Sequence, residues 1–458
     1  MQAQTNRRGG PSLSWLLSGI TSAMQPARMP LALLAVALLS VVVSIVDTAA
    51  DARFGARGLA AGALNEFDLR QLGQRARNAA LGVAAAEVAE LESADGGRDL
   101  DEIGMPAYRN AARKGAAASR ARAVERGASE DQIAAIQAAL VSAMRALDAA
   151  DGQGVASAFV EEEVRAARQV ASGILRLDPD AALGGIANAV ALAPLAAIRA
   201  APVAFPLGLL AVLPLLSIVW GGLARMAAIH AGRDGRLSPL EGSGFARTRA
   251  VGLASIPLLP IAFLALLAAV LALFGVLLRV PVVGVLAGAL LVVPIAIALL
   301  GSILGLVSLL GLPLMPAALV VEDCDAGDAV VRAGALVLGR PLLFTGTLAL
   351  SVVALLLGIA AVGTVVGIAD ASVLSLAGWL GGPVGKALAT RDPAEIAALG
   401  GPARVAASAA GFWLGVLAML PAAYLLALAN DLSTRLYLLL RARADGESPA
   451  TIAGHGLG

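Results

Sequence analysis

The residues that could do chemistry are few, and their spacing favours structural work. The densest group is Glu322-Asp323-Cys324-Asp325, with Asp328 one turn further on. Carboxylates this close could hold a divalent cation, but the Asp-x-Asp-x-Asp-Gly spacing of a calcium loop is missing. A helix start explains the same residues: Asp325 caps a helix from Ala326 to Leu338, and Asp328 in its first turn complements the dipole. Cys324 is the only cysteine, so no disulfide forms within the chain. Acids on both sides of it raise a thiol pKa, which makes a poor nucleophile. Glu161-Glu162-Glu163 could also attract a cation, although on a helix the run reads as a solvated face. The only histidines are His230 and His455, too few for a histidine metal site. The chain has no phosphate-binding glycine loop, His-Glu-x-x-His, nucleophile elbow or dinucleotide fingerprint. The expectation is a non-enzymatic protein with no catalytic residue, no cofactor and no bound metal.

The elements around these residues belong to a membrane protein. Of 458 residues, 58% are hydrophobic and 15% charged, with a mean hydropathy of +0.81. A soluble domain is about 25% charged. A net charge of +1 gives no basic field for nucleic acid. Between Arg249 and Glu322 the only charged residue is Arg279. A bilayer hides such a stretch, because its hydrocarbon is roughly 30 Å thick and takes roughly 20 helical residues. Six spans follow: Leu31–Val46, Pro202–Val219, Val251–Leu278, Val282–Gly311, Leu342–Ile368 and Val405–Leu428. The fourth is too long for one upright helix, so it tilts or breaks near Pro294. Pro202, Pro206 and Pro214 kink the second. Span 1 reads as an uncleaved signal anchor, because 30 residues precede its apolar core; Thr48-Ala49-Ala50 keeps a cleavable signal peptide as the competing reading.

The fold class expected is all-α: a polytopic bundle of six spans, with an extracytoplasmic helical domain inserted between spans 1 and 2. The domains are 1–30, a cytoplasmic tail in which Pro11–Ile20 reads either as an interfacial helix or as part of a disordered tail; 31–46, span 1; 47–200, the helical domain; 201–430, five spans; and 431–458, a polar cytoplasmic tail that starts with an amphipathic piece, Leu432–Leu440, and is expected to be disordered from Ala444. Residues 47–200 hold 17 of the 34 Lys/Arg and 21 of the 33 Asp/Glu. Helices are expected at Leu59–Leu91, Pro106–Arg126, Val155–Leu177 and Asp180–Ala200, with a charged loop at Asp95–Ile103. Ser129-Glu130-Asp131-Gln132 is a capping box ahead of Ile133, Ile136, Leu140, Met144 and Leu147. Asp178-Pro179 is a cap followed by a first-turn proline. The domain is rich in alanine, whose burial contributes much less than the about 1.5–3 kcal/mol of a large apolar side chain, so it packs loosely or relies on a partner.

Thirteen Lys/Arg flank the spans on the side of the termini and four on the other, which puts both termini in the cytoplasm. Arg225, Arg233, Arg236, Arg247 and Arg249 fall in one loop, which serves as a topological signal and offers contacts to anionic lipid headgroups. Gly284/Gly288, Gly301/Gly305, Gly363/Gly367 and Gly411/Gly415 have Gly-x-x-x-Gly spacing, expected to bring helices of the same chain together. No ionisable group falls inside a predicted span, since Arg279, Asp370, Arg404 and Asp431 lie at ends, which disfavours an ion relay.

At Leu312–Arg340 the chain reads LPLMPAALVVEDCDAGDAVVRAGALVLGR. With Pro316, Glu322, Ala329 and Arg332 in the shared positions, it resembles six-span bacterial membrane domains of unknown function, found beside or fused to glycerophosphodiester phosphodiesterases. Gly221–Pro260 is similar to a loop in large uncharacterised membrane proteins of planctomycete type. The resemblance spans Pro202–Leu428 and implies the six-span fold. No phosphodiesterase residues are present, so it implies no activity. The expected function is an inner-membrane envelope scaffold or regulator that contacts lipids and a protein partner through 47–200. The alternative is a transporter or channel subunit for a neutral or lipid-like substrate.

Overall fold

The computed structural model describes residues 13–50, 52–54, 59, 66–94, 105–151, 153–176, 178–280, 286–390, 396, 399 and 401–453. Among them the regular structure is helical, apart from a bridge between Phe54 and Gln153. The chain divides into two compact units. Unit 1 is Met1–Ser40, Leu210–Gly367 and Ala418–Gly458; unit 2 is Val41–Leu209 and Ile368–Leu417.

The helices are α1 Leu13–Leu17, α2 Gly19–Ser22, α3 Met29–Ala49, α4 Glu66–Ala94, α5 Met105–Glu125, α6 Glu130–Asp151 and α7 Val155–Arg176. Then come α8 Pro179–Ala187, a π-helical stretch Asn188–Leu192, α9 Ala193–Ala200, α10 Ala204–Arg233, α11 Pro239–Thr248 and α12 Ala250–Leu277. The rest are α13 Val292–Gly311, α14 Met315–Glu322, α15 Ala326–Gly339, α16 Pro341–Leu380, α17 Gly382–Thr390, α18 Gly401–Asp445 and α19 Pro449–Ile452.

Among the described residues, seven helices are long and apolar enough to cross a membrane: α3, Pro179–Ala200, α10, α12, Val292–Glu322, α16 and α18. The chain is an integral membrane protein. Six of these overlap the expected spans, and Pro179–Ala200 is the addition. The boundaries differ in informative ways. The break expected near Pro294 falls at the turn Leu290–Leu291, so Pro294 enters the first turn of α13, where its missing N–H costs nothing. Helix α16 continues past Ile368 to Leu380, so Asp370 lies within a helix rather than a loop. The chain then turns at Gly382, whose φ of +57° suits glycine. Helix α18 has 45 residues, about 68 Å at 1.5 Å each, and continues into the expected tail as far as Asp445.

In unit 2, α4, α5 and α6 pack on one another around Ala80, Val88, Tyr108, Ala111, Ala112, Ala116, Leu140 and Leu147. Small side chains allow close approach: a Cβ at Gly115 would sit 2.2 Å from that of Ala84. The capping box ahead of α6 is formed, with Ser129 N donating to Gln132 Oε1 at 3.1 Å and Gln132 N to Ser129 Oγ at 3.4 Å. Asp178 caps α8 by accepting from Ala181 N at 3.1 Å. Asp47 accepts from the backbone of Ala156 at 2.6 Å and of Ser157 at 3.2 Å, as well as from the Ser157 hydroxyl. It thus caps α7 from over a hundred residues away. The charged loop expected at Asp95–Ile103 lies outside the described residues.

In unit 1 the core joins the starts and ends of spans. Leu16, Leu31, Leu223, Leu253, Met315, Leu319, Leu436 and Tyr437 belong to it. The N-terminal segment expected on the membrane surface is packed into this core through Leu16. Leu432–Leu440, expected as an amphipathic piece of the tail, is buried except for partly exposed Ser433. Ile452 and Ala453, in a tail expected to be disordered, are buried as well. A pattern read against water marks such segments as surface, but here neighbouring helix ends cover them. Close helix contacts do not follow the Gly-x-x-x-Gly pairs. Gly301 and Gly305 face Leu267 and Leu264, whereas Gly288, Gly363, Gly367, Gly411 and Gly415 have open space, and Gly284 lies outside the described residues. Close approaches in unit 1 are at Gly221, where a Cβ would meet Leu253 at 2.3 Å, and at Gly358, where it would meet Leu428 at 2.6 Å and the Tyr424 hydroxyl at 2.8 Å.

Candidate functional site

The most distinctive chemistry of unit 1 is a pair of buried ionic clusters, both on the second half of α18. Asp431 is fully buried. The Arg28 guanidinium donates to its Oδ1, while Arg435 Nε and the Ser22 hydroxyl donate to its Oδ2, each at 2.6 Å. Arg28 and Arg435 are only 1% and 3% exposed. Two guanidinium ions face one carboxylate, and the excess positive charge is met by oxygen dipoles and a π face. Arg435 Nη1 donates to Trp15 O and to Ser18 Oγ, each at 3.0 Å. Its guanidinium lies 5.1 Å from the Trp15 ring centroid, and Arg28 Nη2 donates to Met226 O at 3.3 Å. Tyr424 adds a hydrogen bond from its hydroxyl to Ile20 O at 3.0 Å. Gln25 Nε2 lies 2.9 Å from His230 Nε2, so the amide donates and the imidazole accepts. The residues of α1 and α2 are thereby strapped to α18.

The second cluster surrounds Glu322. Its carboxylate takes the Tyr437 hydroxyl, the Arg332 guanidinium and Arg441 Nε, the last at 3.0 Å. Arg441 also pairs with Asp445 at 2.7 Å. The glutamate and arginine of the Pro316–Arg332 pattern therefore meet directly. Asp323 turns the chain at a φ of +51° and pairs with Arg249 at 2.6 Å. Asp325 caps α15 by accepting from Asp328 N at 2.8 Å. The acids that could have gathered on a cation are thus spent on a cap and on arginines. Among the described residues no group of three or more His, Cys, Asp and Glu is arranged to hold a metal ion. Burial, reinforced by Asp328, pushes the Cys324 thiol up to about 11, so it is held as the neutral thiol.

The five arginines of the Arg225–Arg249 stretch have different environments. Arg225 is buried, donates to Val320 O at 3.0 Å and stacks 4.4 Å from the Phe245 ring centroid, so its charge serves the protein interior rather than a surface lipid. Arg249 is committed to Asp323 but remains exposed, and Arg233, Arg236 and Arg247 are exposed. Arg233 ends α10, Arg236 lies between α10 and α11, and Arg247 is on α11. Helix α11 is fixed by a reciprocal capping box, in which Glu241 N donates to Ser238 Oγ at 3.2 Å and Ser238 N donates to Glu241 Oε2 at 2.7 Å. Those bonds hold the Glu241 carboxyl below its usual range. The Ser-x-x-Glu spacing of Ser238 and Glu241 was a legible signal for this helix.

A further feature is an apolar cleft of about 220 Å³ between α10, α12 and the start of α14. Leu213, Ser217, Trp220, Ile256, Pro257 and Pro316 are among its lining residues.

In unit 2 the acidic run does not form a solvated face. Glu162 is buried and accepts from Arg165 Nη1 at 2.5 Å and from Asn188 Nδ2 at 2.7 Å. Burial, and then the adjacent Glu162 charge, raise the Glu163 carboxyl to about 7. Only Glu161 is exposed, and it accepts from Gln153 Nε2 at 2.6 Å. The cause is the packing of α7 against Pro179–Ala200, which turns the middle of the run inward.

No family model, no curated protein and no solved structure matches the chain.

Proposed function

We propose that the chain is a non-enzymatic protein of the cytoplasmic membrane with six crossings and both termini in the cytoplasm, acting as an envelope scaffold or as the regulator of a partner engaged through residues 47–200. The observation that carries this reading is the self-sufficiency of the charged groups in unit 1. Asp431, Glu322, Asp323 and Asp325 are each taken up by arginines, a tyrosine or a helix start, so they act as struts rather than reagents. Exposed Arg233, Arg236 and Arg247 are placed to meet anionic headgroups, at about 1 kcal/mol per residue near the surface.

Contacts support the crossing count. Arg28 and Gln25, ahead of α3, touch Met226 and His230 on α10. Groups that touch at helix ends share one side of a bilayer, so an even number of crossings separates them. Two crossings among α3, Pro179–Ala200 and α10 fit that condition, and three do not. Arg225 touches Val320, which makes α12 and α13 a pair, and Tyr437 touches Glu322, which does the same for α16 and α18.

The test is flux through liposomes holding the purified protein alone, with neutral solutes and labelled phospholipids as probes. The expected result is no movement above empty liposomes, together with a protein partner recovered on residues 47–200 of the intact chain. Robust movement would favour the second reading, a transporter or channel subunit, for which the cleft beside Trp220 and the proline-interrupted helices α10 and α12 are the supporting features.

A further inference from the structure

The crossing count leaves one helix of span-like hydropathy, Pro179–Ala200, without a crossing. We propose that it is an interfacial anchor, lying in the headgroup region of the leaflet from which α10 enters the membrane, with membrane lipid as its occupant. The proposal rests on the six-crossing reading and extends it.

Its packing partner keeps it out of the hydrocarbon. Pro179–Ala200 runs antiparallel to α7. Gly173 of α7 meets Ala182, Ala166 and Val170 meet Gly185, and Glu162 meets Asn188. Helix α7 carries Glu161, Glu162, Glu163, Arg165, Arg168 and Arg176 within 22 residues. A helix with that charge does not sit in a bilayer core, and a partner bound along its length does not either.

The surface turned away from α7 is the one that asks for lipid. The small residues Gly185, Ala193 and Ala197 are buried. Leu183, Val190, Leu192, Leu195 and Ile198 are between 39% and 61% exposed. From Ala181 to Ala200 the only charged residue is Arg199. A soluble domain rarely leaves so continuous an apolar surface in water. The position of the helix in the chain selects the occupant. Only Ala201–Val203 separate it from α10, so its end is held at the bilayer boundary. Arg199 sits at that end, where a long basic side chain reaches phosphate while its stem stays in apolar surroundings.

The experiment uses the full chain with Cys324→Ser as background. Asp180→Cys and Arg199→Cys, both at exposed positions, are treated in sealed vesicles with a membrane-impermeant maleimide. Both are expected to react from one and the same side. Reaction from opposite sides would mean that the helix crosses, and would defeat the six-crossing reading along with the anchor. Leu192→Cys then carries an environment-sensitive fluorophore in vesicles of brominated phospholipid. Bromine placed near the headgroup is expected to quench it more than bromine at the chain end. Same-side labelling without quenching, or with stronger quenching from the chain end, would leave the crossing count intact and overturn the lipid seat. A second copy or a protein partner would then be what covers the surface.

Discussion

Asp431 carries two arginines and a serine on one carboxylate, so its charge cannot be removed locally. Replacing it by asparagine leaves Arg28 and Arg435 buried without their counter-ion. Breaking a buried pair in this way costs about 3–5 kcal/mol. Asp431→Asn should therefore lower the unfolding midpoint in detergent and expose residues 13–28 to protease. Asp445→Asn, which breaks the partly exposed pair with Arg441, should cost less than about 1 kcal/mol. Equal losses in the two variants would refute the strap. Legibility at this scale tracked sequence distance. The Ser129 box and the Asp178 and Asp325 caps were readable because donor and acceptor lie three residues apart. Arg28 and Asp431 are separated by 403 residues, and nothing local marks them as partners. Glu162 was misread for a similar reason, since its partner Asn188 belongs to the next helix.

At the scale of the element, apolar patterning locates the part of a helix that needs lipid and is silent about the rest. The expected spans coincide largely with α3, α10, α12, α16 and α18, but α16 and α18 continue beyond them: the extension of α18 is buried by protein contacts, whereas that of α16 leaves Val373, Leu376, Trp379 and Leu380 exposed. The spacing of glycines was a poorer guide than their neighbours. Gly358→Ala should destabilise by about 1–3 kcal/mol, because the new methyl meets Leu428 and Tyr424 on a packed face. Gly363→Ala, facing open space, should stay within about 0.5 kcal/mol of the parent. Thermal unfolding of the two in the same detergent decides, and the reverse order would mean that the helix seam lies at the Gly-x-x-x-Gly pair.

For the molecule as a whole, the bundle class was legible because bulk hydropathy and charge fix the solvent. Function was not, since the groups that look reactive in a one-dimensional text turn out to be bonded to one another. The proposed orientation rests on the arginine imbalance. Alkaline phosphatase fused after Ala150 should be active, and fused after Arg236 it should be inactive. The reverse pattern would invert the topology.

The strap between the first helices and α18 also sets an order of events during synthesis. Domains generally fold as units from the N-terminus while the ribosome is still at work. Arg28 is made 403 residues ahead of Asp431, and Asp431, Arg435 and Arg441 emerge only after the apolar segments between them have been translated. A nascent polypeptide that has already threaded all its greasy segments still carries unmatched cations near its beginning and an unmatched acid at Glu322. Closure of unit 1 therefore waits for the second half of α18, and a chain cut at Leu428 would be inserted but left unlocked.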